Sequence, residues 1–251
     1  MRIRPLYLCA LVFTLLFACG DDAEIEELSG ASAEHRERGQ AEASPSEDLS
    51  SMAPGRCEGS TEWRYDPLGG QGIEAIPDDV HSVDDPTSGT GRRVAFDALH
   101  DAWLAEQESA VSEIYRSLEG LEGWGITAPI VIRFSDMLGP FPSWQESTQS
   151  DAMMLVRLEG EGVKAHPFEV QVVEGGKAAV IWPLGVLDPA TEYALLITSK
   201  QKDAQGECLA AGTIFRSILE GTREEASLVR ASERLNTFIK AAGLYPEEVA
   251  A

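Results

Sequence analysis

Residues 168–183 read FEVQVVEGGKAAVIWP, two short runs of β-branched and aromatic residues separated by Gly175-Gly176. Runs of this length, rich in Val, Ile, Phe and Trp and joined by adjacent glycines, predict a β-hairpin, because glycine alone enters the left-handed turn conformations without steric cost. Working outward, residues 128–135 (APIVIRFS) alternate, with Ile130, Ile132 and Phe134 on one face and Val131 and Arg133 on the other. Met153 to Glu159 and Tyr193 to Thr198 are further β-rich runs, and Thr213 to Arg216 reads as a short closing strand. Short strands separated by turn residues predict a mainly β fold, an antiparallel β-sandwich with added helices.

Two helices are expected. Phe96, Leu99, Trp103, Ala110, Ile114 and Leu118 recur at helical spacing ahead of Gly120, which predicts one long helix over about 96–118. Leu228, Leu235, Phe238, Ile239 and Ala242 form an apolar stripe over about 222–242, with Gly243 as its C-cap. Pro246 followed by Glu247 and Glu248 reads as the first turn of another helix, so residues 222–251 are expected to be a helical linker that continues beyond Ala251. Residues 56–95, rich in Pro, Gly and Asp, are read as loop with short strands, anchored by Trp63 and Tyr65.

The first residues have a different character. Arg2 and Arg4 precede an apolar run from Leu6 to Phe17, too short for a membrane span of ~20 residues but suited to a signal peptide over 1–18. Leu16-Phe17-Ala18-Cys19 has the layout of a bacterial lipobox, which makes Cys19 the expected lipidation site and the cell envelope, outer membrane or surface, the expected location. Residues 19–55 then read as a disordered acidic tether: Gly20 to Pro54 holds ten acidic residues against Arg36 and Arg38 and almost no large apolar residue. The formal net charge of −22 argues against nucleic acid and anionic lipid as ligands, so attachment to a membrane is expected through the lipid alone. Beyond Cys19, only Cys57 and Cys208 remain in the mature region. In an oxidising compartment they point to one disulfide between the start of the folded region, taken as 56–221, and its last strand; two unpaired thiols are the alternative.

No G-x-S-x-G, H-E-x-x-H, Walker loop or C-x-x-C occurs in the sequence, so no catalytic residue and no cofactor is expected. His81, His100 and His166 are too dispersed for a local metal site and read as surface residues. Asp78, Asp79, Asp84 and Asp85 (IPDDVHSVDDPTSGTG) supply enough carboxylate for a weak Ca²⁺ site, without EF-hand spacing. The rival reading is a solvated turn in which Arg92 and Arg93 pair with the aspartates. Trp124, Trp144 and Trp182 are candidates to stack on a sugar, against ordinary packing.

Residues 121–134 (LEGWGITAPIVIRF) and 182–206 (WPLGVLDPATEYALLITSKQKDAQG) resemble segments of bacterial extracellular Ig-like domains. Residues 76–94 (IPDDVHSVDDPTSGTGRRV) resemble the start of the N-terminal region of bacterial virulence-factor lipases and similar secreted lipoproteins. Pro77-Asp78-Asp79 stands where that pattern usually has Pro-Asn-Asp, and Trp124 where Phe is common. The resemblance implies an Ig-like sandwich over most of 76–251, with the tail as the family's linker helix. The hydrolase domain that follows in that family has no counterpart here, so no catalytic residue carries over. Three functions are therefore expected in order: a non-catalytic Ig-like interaction or spacer module with an unidentified protein or glycan partner, an accessory domain of a lipase-type hydrolase, or a carbohydrate- or calcium-binding module.

Overall fold

The computed structural model describes residues 56–67, 76–96 and 98–251, with side chains from 101 onward in the last segment. The expected signal peptide, Cys19 and the tether lie outside the described residues. In chain order the elements are β1 (Ser82–Asp84), β2 (Arg92–Val94), α1 (Ala98–Ala105), α2 (Ser109–Leu118), β3 (Ile130–Arg133), β4 (Met153–Glu159), β5 (Gly162–His166), β6 (Phe168–Val173), β7 (Ala178–Pro183), β8 (Tyr193–Ile197), α3 (Thr213–Leu219) and α4 (Ala226–Ala241). The strands form three antiparallel sheets: the ribbon β1-β2, a sheet in the order β3-β7-β6, and a sheet in the order β5-β4-β8. This is a mixed, β-rich fold.

The hairpin read from residues 168–183 is present as β6 and β7, in register from Phe168↔Pro183 to Val173↔Ala178. Gly175 and Gly176 turn it with φ of 66° and 97°, values that strain any residue with a Cβ. The alternation of 128–135 also holds, since Ile132 and Phe134 are 3% and 1% exposed. Strand β5 has no strong signal in the sequence: Gly, Lys and Ala are poor strand formers, and pairing with β4 overrides them. In β4 the neighbours Leu155 and Val156 are both buried, so both faces of this strand are covered. Helix α4 lies over β4, β5 and β8 and inserts Leu228, Phe238 and Ile239 into the same apolar core as Trp63, Phe134, Phe168 and Leu196. Each such side chain contributes about 1.5–3 kcal/mol on burial.

Four expectations are corrected. The segment 96–118 is two helices, not one: the chain turns at Glu106–Glu108, where Glu106 N–H donates to Trp103 O (3.0 Å) and Gln107 N–H to Leu104 O (3.1 Å). No apolar residue falls between Leu104 and Ala110 to hold a straight helix on the core except Ala105, and folding back brings Trp103 edge-on to Tyr115 (5.4 Å) while Ile114 stays exposed. Residues 213–216 are not a strand but the start of α3. Phe215, Ile218 and Leu219 are buried at i, i+3 and i+4, a helical spacing that extends past the four residues read as strand. Helix α4 begins at Ala226 and not near 222; its C-terminus is as expected, with Gly243 at φ 70° and Leu244 N–H donating back to Ile239 O (3.0 Å). Finally, Pro246–Glu248 is a single 3-10 turn and not a further helix. After it the chain extends and pairs with β8: Ile197 N–H donates to Ala251 O and Ala250 N–H to Ile197 O, both at 2.7 Å. Val249, Ala250 and Ala251 are buried there, so backbone pairing and burial together decide against helix.

Candidate functional site

The aspartates of 78–85 are distributed by local geometry. Asp78 caps a short 3-10 turn (Asp79–His81) by accepting from Val80 N–H (2.9 Å), and it accepts from Tyr65 OH at 2.5 Å. The ribbon sets Asp84 opposite Arg92 and Val83 opposite Arg93, so the guanidinium of Arg92 reaches both Asp79 (2.6 Å) and Asp84 (2.5 Å). Asp85 accepts from Thr87 N–H (2.9 Å) and Thr87 OH (2.6 Å) and pairs with Arg93. The Thr87 bonds above all, with the Arg93 guanidinium, lower its pKa to about 2.

Helix α4 closes the cluster. Arg234 reaches Asp79 (3.1 Å), Asp84 (3.7 Å) and Glu192 (3.0 Å), and one turn earlier Arg230 donates to the carbonyl of Ser82 (2.7 Å). The carboxylates are thus shared among guanidiniums, as the rival reading of this loop anticipated for Arg92 and Arg93. No group of three or more His, Cys, Asp or Glu among the described residues is arranged to hold a metal ion. Beside this clamp lies a shallow cleft of about 640 Å³. Its walls mix Asp84, Glu224 and Glu233 with Arg230 and Arg234, so it favours neither anions nor cations. The part of α4 in the clamp was missed in the sequence, where the only signal is a pair of arginines four apart, Arg230 and Arg234.

A second cluster ties the start of the described domain to the hairpin 202–208. Cys57 and Cys208 form a disulfide across a sequence separation of 151 residues. Cys208 stands in a short bridge with Lys202, not in a last strand. Next to it Asp203 is buried, 2% exposed, with Oδ1 accepting from the N–H groups of Gln205 and Glu207 (both 2.9 Å) and Oδ2 from Thr61 OH (2.8 Å). Burial raises the carboxyl pKa, but the Thr61 hydroxyl and the N–H groups of Glu207, Gln205 and Gly206 outweigh it, and the net shift is downward.

The histidines and tryptophans do not converge. His81 is buried, 1% exposed, at 5.1 Å from the Phe96 ring; His166 is half-buried and edge-on to Tyr193 (5.9 Å). Neither is the surface residue expected: His81 ends the 3-10 turn on which α4 packs, and His166 lies on β5 opposite the buried Leu155 of β4. Burial lowers the pKa of His166, against the opposing effects of a bond from its ring to the backbone carbonyl of Leu184 and the charge of Asp188. The side chain of His100 is outside the described residues. Trp124 is held by its indole N–H on the carbonyl of Asp78 (3.1 Å), whereas Trp144 and Trp182 are 53% and 42% exposed in separate segments. No helix among the described residues is long and apolar enough to cross a membrane. The chain matches no protein-family model, no curated protein and no solved structure.

Proposed function

We propose that this chain is an envelope lipoprotein: lipidated at Cys19, spaced from the membrane by an acidic tether, and carrying a non-catalytic interaction domain with an Ig-like sandwich at its centre. The observation that carries this reading is the Cys57–Cys208 disulfide in a domain that follows a lipobox-like cysteine. Disulfides persist outside the reducing cytoplasm, so the bond and the leader point to the same compartment. The engagement of the aspartates by Arg92, Arg93 and Arg234 supports a structural use of the acidic loop. For the sandwich, the support is that β5 runs through Pro167 directly into β6, so the chain passes from the edge of one three-stranded sheet to the edge of the other. Both sheets also contribute to one apolar core.

The test is the intact mass of the chain purified from membranes, compared with Cys19→Ala. The expected result is cleavage before Cys19, acyl chains on that residue, and a soluble or retained precursor for the variant. An unacylated native product refutes the anchor, and reproducible esterase turnover in the same preparations refutes the non-catalytic reading.

A further inference from the structure

Of the four outer edges of the two three-stranded sheets, two are covered. Strand β3 is bridged by Ile76 at Val131 and by Trp63 at Phe134, and β8 is covered by Val249–Ala251. A third, β5, is blunted by Gly162 and Lys164. Strand β6 (FEVQVV) has none of these guards: it lacks Pro, Gly, Lys and Arg.

Its hydrogen bonding can be worked out residue by residue. Leu184 N–H donates to Pro167 O (2.8 Å), and Glu169, Gln171 and Val173 stand opposite Trp182, Val180 and Ala178. In an antiparallel pair bonded and unbonded positions alternate, so these odd-numbered residues bond to β7 while Phe168, Val170 and Val172 point their N–H and C=O groups outward. Phe168 N–H is taken by the hydroxyl of buried Ser147 (3.2 Å). Among the described residues no partner meets the outward N–H groups of Val170 and Val172. This rail is flanked by apolar side chains at both ends. Trp144, whose carbonyl accepts from the same Ser147 hydroxyl, lies at the Phe168 end, and Val172, 44% exposed, lies at the other. Glu169 is exposed on the outer face with no ion pair among the described residues, and Trp182 stands across from it.

We propose that the outer edge of β6 is a docking rail for an extended segment of a cationic partner protein, which adds a strand beside β6 with alternating apolar and basic residues. Main-chain bonds to Val170 and Val172 supply the pairing, apolar side chains follow their face, and basic ones follow the face of Glu169. Charge selects the occupant: the chain carries −22, which opposes a second copy, and residues 20–54, with ten acidic residues against Arg36 and Arg38, are repelled by the acidic remainder of the chain. This deepens the interaction half of the function proposed above and does not depend on the lipid.

The test uses the intact purified chain and a fluorescent decapeptide of alternating valine and lysine, with binding read by anisotropy. Val172→Pro removes the outward N–H without breaking a bond to β7, so it is expected to melt with the native chain and bind the peptide at least about tenfold more weakly. If that variant fails to fold, the same peptide N-methylated at alternate residues takes its place and is expected to lose binding. A decapeptide of alternating valine and glutamate is expected not to bind. Undiminished binding by the folded Val172→Pro variant, or no binding of the valine–lysine peptide, overturns the proposal. So does a chain that dimerises through β6, seen as a size-exclusion shift abolished by Val172→Pro. A failure here leaves the acylation result untouched, and a failure of acylation leaves this binding untouched.

Discussion

Replacing Asp203 separates the charge of a buried carboxylate from its shape. Asp203→Ala removes an acceptor that serves Gln205 N–H, Glu207 N–H and Thr61 OH. A bond to a charged group contributes about 1.5–3 kcal/mol, and such bonds are not additive around one carboxylate. Gln205 and Glu207 lie in an exposed turn, where water replaces the lost acceptor, but Thr61 is 1% exposed and its hydroxyl is stranded. The loss for Asp203→Ala is therefore about 3 kcal/mol. Asp203→Asn keeps an acceptor for both N–H groups, and its amide can donate to the Thr61 oxygen, so its loss is about 1 kcal/mol, the difference between a charged and a neutral acceptor. In urea, with a slope of about 2 kcal/mol/M, the two midpoints fall by about 1.5 M and about 0.5 M.

The pH dependence fixes the sign. The folded pKa of Asp203 is lowered, so its contribution is complete above the unfolded value near 3.9 and is lost as pH falls through the folded value. The native chain's advantage over Asp203→Asn is therefore expected to be constant from about pH 5 to 7 and to shrink below about pH 4. Unfolding would be followed by tryptophan fluorescence without reductant, so that the Cys57–Cys208 bond is intact in all three proteins. A midpoint loss under about 0.3 M for the alanine variant would refute the reasoning. An advantage over Asp203→Asn that does not change between neutral and acid pH would refute the role of charge.

Reducing the disulfide releases a loop of about 150 residues from its constraint, which on the chain-entropy model costs about 5 kcal/mol; thermal melts with and without reductant check it. Phe168→Ala empties a fully buried position and is expected to cost about 3–5 kcal/mol in urea titrations. Arg234→Ala removes contacts to Asp79, Asp84 and Glu192 from a guanidinium that is 30% exposed. A loss of about 1 kcal/mol that fades toward 1 M salt is expected in the same titrations.

Local signals were legible where a segment's neighbours in sequence are also its partners in space. The β6–β7 hairpin, the alternating face of Ile132 and Phe134, and the glycine cap of α4 follow from spacing within a few residues. Where distant segments decide the outcome, spacing misled. Residues 96–118 keep a near-continuous helical pattern, yet folding back on itself lets α2 meet α1 through Trp103 and Tyr115. Residues 246–251 hold a helix-starting Pro and two glutamates, yet the edge of β8 draws Val249–Ala251 into backbone pairing through a single bridge and the bonds at Ile197. At the candidate sites, carboxylates near one another in sequence suggested a cation. The guanidinium of Arg234 that shares them comes from a helix about 150 residues later.

Sequence alone determined the leader-like start, the acidic composition, the β character of 128–198 and the two cysteines available to pair, because these depend on residue type and short-range order. Tertiary structure alone decided which edges of the sheets are covered, which aspartates meet which arginines, and that Asp203 is buried beneath Thr61. Edge coverage and charge compensation are relations between segments far apart in the chain, and the energy that selects them exists only once the core has brought those segments together.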